Sequence, residues 1–181
     1  MPTPIYVLTG QLAAGKSTLA RELMQRHPHG MHLDVDAIRE LVVSGLASPL
    51  EWTDETTRQF QLAIDGAVQL AGIYAAEDFA VAIEGAVDPE TIGAALQRAG
   101  LGDRVIGVIL HPSREVALDR NRTREGKDFD TAILDGAIRF LDGELQTQED
   151  PPGWHRIDNS SETPTQTADR IADLPLVIQR G

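Results

Sequence analysis

Eight residues near the start of the chain, Gly10-Gln11-Leu12-Ala13-Ala14-Gly15-Lys16-Ser17, fit the pattern G-x-x-x-x-G-K-[ST] at every defined position. The apolar run Ile5-Tyr6-Val7-Leu8 before them reads as a buried strand, and Thr18 to Met24 after them reads as a helix. Strand, glycine-rich turn and helix together form the context in which this pattern cradles phosphate. Glycines at both ends let the loop fold tightly, so that backbone N–H groups point inward around an anion. The helix N-terminus adds partial positive charge, Lys16 reaches the β- and γ-phosphates, and Ser17 offers a hydroxyl to Mg²⁺. The predicted nucleotide contacts are therefore Gly10, Ala13, Ala14, Gly15, Lys16, Ser17 and Thr18. The competing reading is a glycine-rich turn with an incidental lysine.

Composition narrows what such a cradle serves. At 181 residues the chain suits one α/β domain and is short for two. With 28 acidic against 16 basic side chains its net charge is −12, which works against a polyanionic partner such as nucleic acid. The chain contains no cysteine, so disulfides and thiolate metal sites are excluded. No apolar stretch approaches a membrane span and no secretory signal pattern opens the sequence. The expectation is a soluble, cytoplasmic protein with small-molecule partners. Oligomeric state is not legible.

Downstream of the first helix, the three histidines His27, His29 and His32 raise the question of a metal site. A polar, solvated turn between helix and second strand is the simpler expectation. The second strand runs into Asp34-Val35-Asp36-Ala37, followed by a helix over 37–43. Ligands of open α/β sheets bind beyond the carboxyl ends of the strands, which places Asp34 and Asp36 on the cradle side. Either carboxylate could cap the helix, and either could take a proton from an attacking hydroxyl or hold Mg²⁺ through water. A long helix over 54–74 carries Phe60, Ile64, Ala67, Val68, Ala71 and Ile73 as its apolar face, with Thr53 as its cap. Trp52 is a packing residue or a wall of an acceptor pocket.

The apolar strand 79–83 ends in Glu84, a candidate for Mg²⁺ or for the substrate. Asp88, before Pro89, reads as a helix cap. A fourth strand, 105–110, is followed by a helix over 114–124 that carries Arg114, Arg120, Arg122 and Arg124. Arg120 and Arg124 share a helical face, and guanidinium groups suit the charge on a transferring phosphoryl group. Together with the polar tip 125–128, this segment (about 114–130) reads as a lid that closes over phosphates. The alternative is a solvated helix face paired with Glu115, Asp119 and Glu125. A further helix over 130–145, a fifth strand 154–157, a turn 158–161 and a last helix opening at Thr163-Pro164 complete the chain.

In this order of loop, strand-end aspartates, arginine-rich segment and terminal turn, the chain resembles the small P-loop kinases. It is most similar to the branch that includes chloramphenicol phosphotransferase, adenylylsulfate kinase and gluconate kinase. Leu33-Asp34-x-Asp36-x-x-Arg39 is similar to the Asp-x-Asp run of adenylylsulfate kinases, although Asp34-Val35-Asp36-Ala37 stands where that family has Asp-Gly-Asp-Asn. The resemblance implies a three-layer α/β P-loop fold: a five-stranded parallel sheet in order 2-3-1-4-5, helices on both faces and a helical lid. It also implies ATP as donor and Mg²⁺ as its companion. Asp34 or Asp36 would be the base, with Arg39 at the acceptor, and Arg120 and Arg124 would be lid arginines. Asn159, in the turn 158–161, would border the adenine, and Arg114 is expected at the nucleotide.

Three functions compete. A kinase transfers the γ-phosphoryl group to a hydroxyl of a small molecule such as an antibiotic, nucleoside or metabolite. A GTP switch would need a guanine-reading Asn-Lys-x-Asp segment, and Asn121-Arg122-Thr123-Arg124 is no substitute. An ATP-binding protein without transfer activity could act by binding a ligand. Leu46, Leu50, Trp52 and Val87 hint at a partly apolar acceptor, which the sequence does not identify.

Overall fold

The computed structural model describes residues 3–49, 51–123 and 131–176. In chain order the elements are β1 (Ile5–Gly10), α1 (Lys16–Met24), β2 (Gly30–Asp34), α2 (Val35–Glu40), α3 (Asp54–Ala76), β3 (Ala80–Glu84) and α4 (Pro89–Arg98). They are followed by β4 (Val105–Leu110), α5 (Arg114–Arg122), α6 (Asp135–Thr147), β5 (Trp154–Ile157) and α7 (Pro164–Ala172), with 3-10 turns at Gly102–Arg104 and Thr131–Leu134. All five strands pair in parallel in the order β2-β3-β1-β4-β5, as the resemblance implied.

Strand alternation builds the three layers. Ile5, Val7, Val81, Ile83, Val105 and Ile109 face one way, into a core with α3 and α4. Tyr6, Leu8, Ala80, Ala82, Ile106 and Val108 face the other, against Leu19, Ala20 and Leu23 of α1 and Ile171 of α7. Strands buried on both faces read as unbroken apolar runs, which is why β1, β3 and β4 were visible in the sequence. Ala117, Leu118 and Ile138 form a smaller cluster that joins α5 to α6 beside Leu12 and Ala13 of the loop.

Side-chain caps set the helix starts. Thr53, Asp88, Ser113 and Thr163 accept from the backbone N–H of Thr56, Thr91, Val116 and Gln166, as their residue types lead one to expect. The second helix begins two residues earlier than its sequence pattern suggests, because Asp34 caps it. On α3 the buried stripe is Thr56, Gln59, Ala63, Ile64, Ala67, Val68, Ala71 and Ala75. Ile73, expected on that stripe, is 63% exposed. It lies two residues from Ala71, which puts it on the opposite side of the helix. No helix among the described residues is long and apolar enough to cross a membrane.

Candidate active site

The loop after β1 is shaped by three left-handed residues: Gly10 (φ 111°), Ala13 (φ 58°) and Gly15 (φ 87°). A Cβ on Gly10 would collide with the backbone of Leu110 in β4, so the loop can turn this close to its neighbour only with glycine there. Gly15 caps α1 without a side chain, which leaves the first N–H groups of α1 directed at the cleft. The outer side of the loop is braced. The Ala14 carbonyl accepts from Asn159 Nδ2 at 3.0 Å and from Arg120 Nη1 at 3.2 Å, and Arg120 Nη2 also donates to the Asn159 carbonyl at 2.9 Å. Fully buried Gln11 donates through Nε2 to the Ile138 carbonyl of α6 at 3.1 Å and accepts from Leu12 N at 3.0 Å. Lys16 Nζ donates to the Gln11 carbonyl at 3.0 Å, which folds the ammonium over the loop.

Three carboxylates meet this cradle from the ends of β2 and β3. Asp34 accepts from Ala37 N at 3.1 Å and is thereby the cap of α2. Asp36, in the first turn of α2, is half-buried. Burial, then the Asp34 and Glu84 carboxylates, push its carboxyl up against the opposing charges of Lys16 and Arg39. Glu84 is 3% exposed at the end of β3. Burial alone would raise its carboxyl, but His32, the Ser17 hydroxyl and Lys16 outweigh it and hold the group below the usual carboxylate range. The cleft around these groups has a volume of about 600 Å³. Its lining includes Ala13, Ala14, Gly15, Lys16, Ser17, Thr18, Asp34, Asp36, Glu84, Arg120 and Asn159.

Other expected residues stand elsewhere. Arg39 is 5% exposed, donates from Nη1 to the Ala47 carbonyl at 2.8 Å, and lies over the Phe60 ring at 4.7 Å. It pins the loop after α2, although Asp36 still feels its charge. Trp52 is 63% exposed, stacks on Phe60 at 5.2 Å and donates to Thr57 Oγ1, so it packs outside the cleft. Arg114, expected at the nucleotide, instead donates to Asp142 of α6 at 2.8 Å, in a separate hollow with His111 and Arg156. Arg124, the tip 125–128 and Leu50 lie outside the described residues.

The three histidines do not share a turn. His27 contacts the Tyr6 hydroxyl at 3.3 Å, His29 stacks on Phe79, and His32 belongs to β2 and faces Glu84. The cleft also takes in Arg21, Glu162, Pro164 and Thr167, which the sequence reading did not single out. Arg21 was accessible to it, lying four residues after Ser17 on the same face of α1.

Residues 5–142 match the family model described as an AAA domain. Solved structures with the same fold include the tunicamycin resistance protein of Deinococcus radiodurans, at 19% identity over 97% of this chain and 98% of that one, TM-score 0.62. A sugar kinase from Janibacter sp. aligns at 19% identity over 98% and 96%, TM-score 0.68. The APS kinase of Mycobacterium tuberculosis, solved with AMPPNP and APS, aligns at 17% identity over 96% and 97%, TM-score 0.65. At these identities the likeness is one of fold. No curated protein matches the chain in sequence.

Proposed function

The chain belongs to the AAA_33 family of AAA-domain proteins, and on that premise we propose that it is an ATP-dependent phosphotransferase acting on a hydroxyl of a small molecule. The observation that carries this reading is the convergence, in one cleft, of the phosphate cradle, Lys16, the Ser17–Glu84 pair and Asp36. A cradle alone would serve switches and motors equally well. A carboxylate facing it from a neighbouring strand end adds what transfer needs, a group that can orient or deprotonate an acceptor hydroxyl. Asp36 is assigned that task because Asp34 is engaged as a helix cap. Named kinases among the proteins of this fold support the same reading.

In this scheme the loop N–H groups and Lys16 hold the donor phosphates, and Arg120 keeps the loop in shape from the cleft wall. Most of the rate comes from positioning and charge stabilisation. Among the described residues no group of three His, Cys, Asp or Glu side chains could hold a metal by itself. That fits Mg²⁺, which binds through one or two protein oxygens together with substrate phosphates and water. Ser17 would be its direct ligand and Glu84 would hold it through water; once bound it neutralises charge on the phosphates. Asn159, which lines the cleft and whose buried Oδ1 has no hydrogen-bond partner, would meet the base of the nucleotide.

The test is a screen of hydroxyl-bearing compounds for ATP consumption, run with wild type and Lys16→Ala. Turnover with one acceptor that disappears in Lys16→Ala is expected. Undiminished turnover in the variant would sink the proposal, and ATP binding with no turnover on any acceptor would point to a binding protein.

A further inference from the structure

His32 has no place in the reaction scheme, yet it is one of the groups nearest to its most buried carboxylate. It occupies the middle of β2, in register with Ala82 of β3, while Asp34 is in register with Glu84. Because side chains alternate along a strand, His32, Asp34, Ala82 and Glu84 all project toward the α1 side of the sheet. Ala82 is small enough for the imidazole to reach past it toward the neighbour two residues on. His32 Nε2 comes to 3.4 Å from Glu84 Oε1. Both atoms are buried, and neither has a fully formed hydrogen bond. The tautomer with its proton on Nε2 presents a donor to an acceptor.

Burying a carboxylate at this depth is costly unless it is paired. Lys16 and Ser17 lie on its cleft side, and His32 is the group that meets it from the strand behind. We propose that His32 is a positioning residue: it fixes the Glu84 carboxylate so that its other face stays turned to Ser17 and to a divalent cation. The inference rests on the reading of the cleft as a metal–nucleotide site. Its content is that metal-assisted nucleotide binding, and not the phosphate cradle itself, depends on His32. Partners one step removed from a metal commonly shift metal affinity by about ten- to a hundredfold when lost.

Calorimetric titration of ADP into the purified protein, once with Mg²⁺ and once with EDTA, tests this without knowledge of the acceptor. His32→Asn keeps polarity but loses reach, and His32→Gln restores a donor near the position of Nε2. For His32→Asn the Mg²⁺-dependent gain in ADP affinity is expected to fall about tenfold. Affinity in EDTA should stay within about twofold of wild type, since the cradle is untouched. His32→Gln should recover most of the gain. Should His32→Asn melt early, His32→Leu, which fills the space, repeats the comparison. A wild-type metal gain left intact in His32→Asn overturns the positioning role alone, and so does an equal loss with and without metal. A wild-type protein that binds ADP identically in both buffers overturns this inference together with the metal site on which it rests.

Discussion

Asp34 and Asp36 stand two residues apart and do different work, because one precedes the helix and the other lies inside it. Asp34 has extended backbone angles (φ −95°, ψ 114°), which turn its carboxylate back onto Ala37 N. Asp36, in the first turn, lies in the electrostatic field of Lys16, Glu84 and Arg39. The sequence left the pair open because either aspartate is within capping reach of the same N–H groups; only the backbone angles decide between them. Replacing Asp34 with Ala should cost about 1 kcal/mol of stability, as loss of a cap does, measured as a shift of the urea midpoint. Asp36→Asn should lower kcat by about 10²- to 10⁴-fold on the true acceptor while nucleotide affinity is kept. The raised Asp36 carboxyl binds protons more readily in the folded protein than in the unfolded chain, so its contribution to stability falls as pH rises through the folded value. At neutral pH, Asp36→Asn should therefore melt higher than wild type, and this difference should vanish in acid. A variant that loses activity while gaining stability would mark Asp36 as functional, whereas a destabilised one would mark it as structural.

At the level of elements, the arginine-rich helix divides its side chains between two tasks. Arg114 and Arg120 are six residues apart, about 240° round the helix, and their side chains line different hollows. Arg120 braces the loop at Ala14, and Arg114 anchors α5 to α6 through Asp142. Asp142 is 1% exposed and also engages His111 Nε2 at 3.1 Å and Gln146 Nε2 at 3.0 Å. From the sequence these arginines could be paired only with nearby acids of their own segment, whereas the partner of Arg114 is an acid on the next helix. Periodicity had a similar limit on α3, where two buried polar residues, Thr56 and Gln59, lie on the stripe because they hold the carbonyls of Ser48 and Gly45. Burial would raise the Asp142 carboxyl, but Arg114 and His111 hold it below the usual range. A depressed carboxyl stabilises the fold above its unfolded value and loses that contribution as pH falls through the folded one. Asp142→Asn should thus cost about 2 kcal/mol near pH 7, the order expected for hydrogen bonds to a charged group. The gap to wild type should narrow as pH drops below about 4, the range in which unperturbed carboxylates titrate. Equal acid sensitivity in the two proteins, followed by urea denaturation across pH, would exclude Asp142 as the anchor.

Across the whole molecule, β1, β3 and β4 were legible because they are apolar on both faces, and α3, α4, α5 and α7 because each opens on a capping side chain, whereas the sheet order followed from the resemblance and not from any residue pattern. At the far edge β5 has the bounds read from the sequence, but its packing was not legible: Trp154 lies against Gly107 of β4, where any Cβ would sit 2.6 Å from the indole. Gly107→Ala should accordingly cost about 1–3 kcal/mol through overpacking, with a red shift of tryptophan emission as Trp154 loses its burial. The cleft lies across the carboxyl ends of β1, β2 and β3 and reaches the start of α7, so a ligand filling it ties together elements from both ends of the chain. Anything that binds only the folded state stabilises it in proportion to the logarithm of one plus the ratio of its free concentration to its dissociation constant. At about a hundred times its dissociation constant, MgADP should add about 2.7 kcal/mol. For a chain of this size that corresponds to a rise in melting temperature of roughly 5–11 °C. Lys16→Ala should lose most of that rise while its ligand-free melting point stays near that of wild type, since the half-buried Lys16 side chain lies at the cleft over the loop and outside the hydrophobic core. Gly10→Ala should lose both, because its methyl group meets the Leu110 backbone and distorts the sheet together with the cradle. A ligand-induced rise that survives in Lys16→Ala would place the nucleotide somewhere other than this loop.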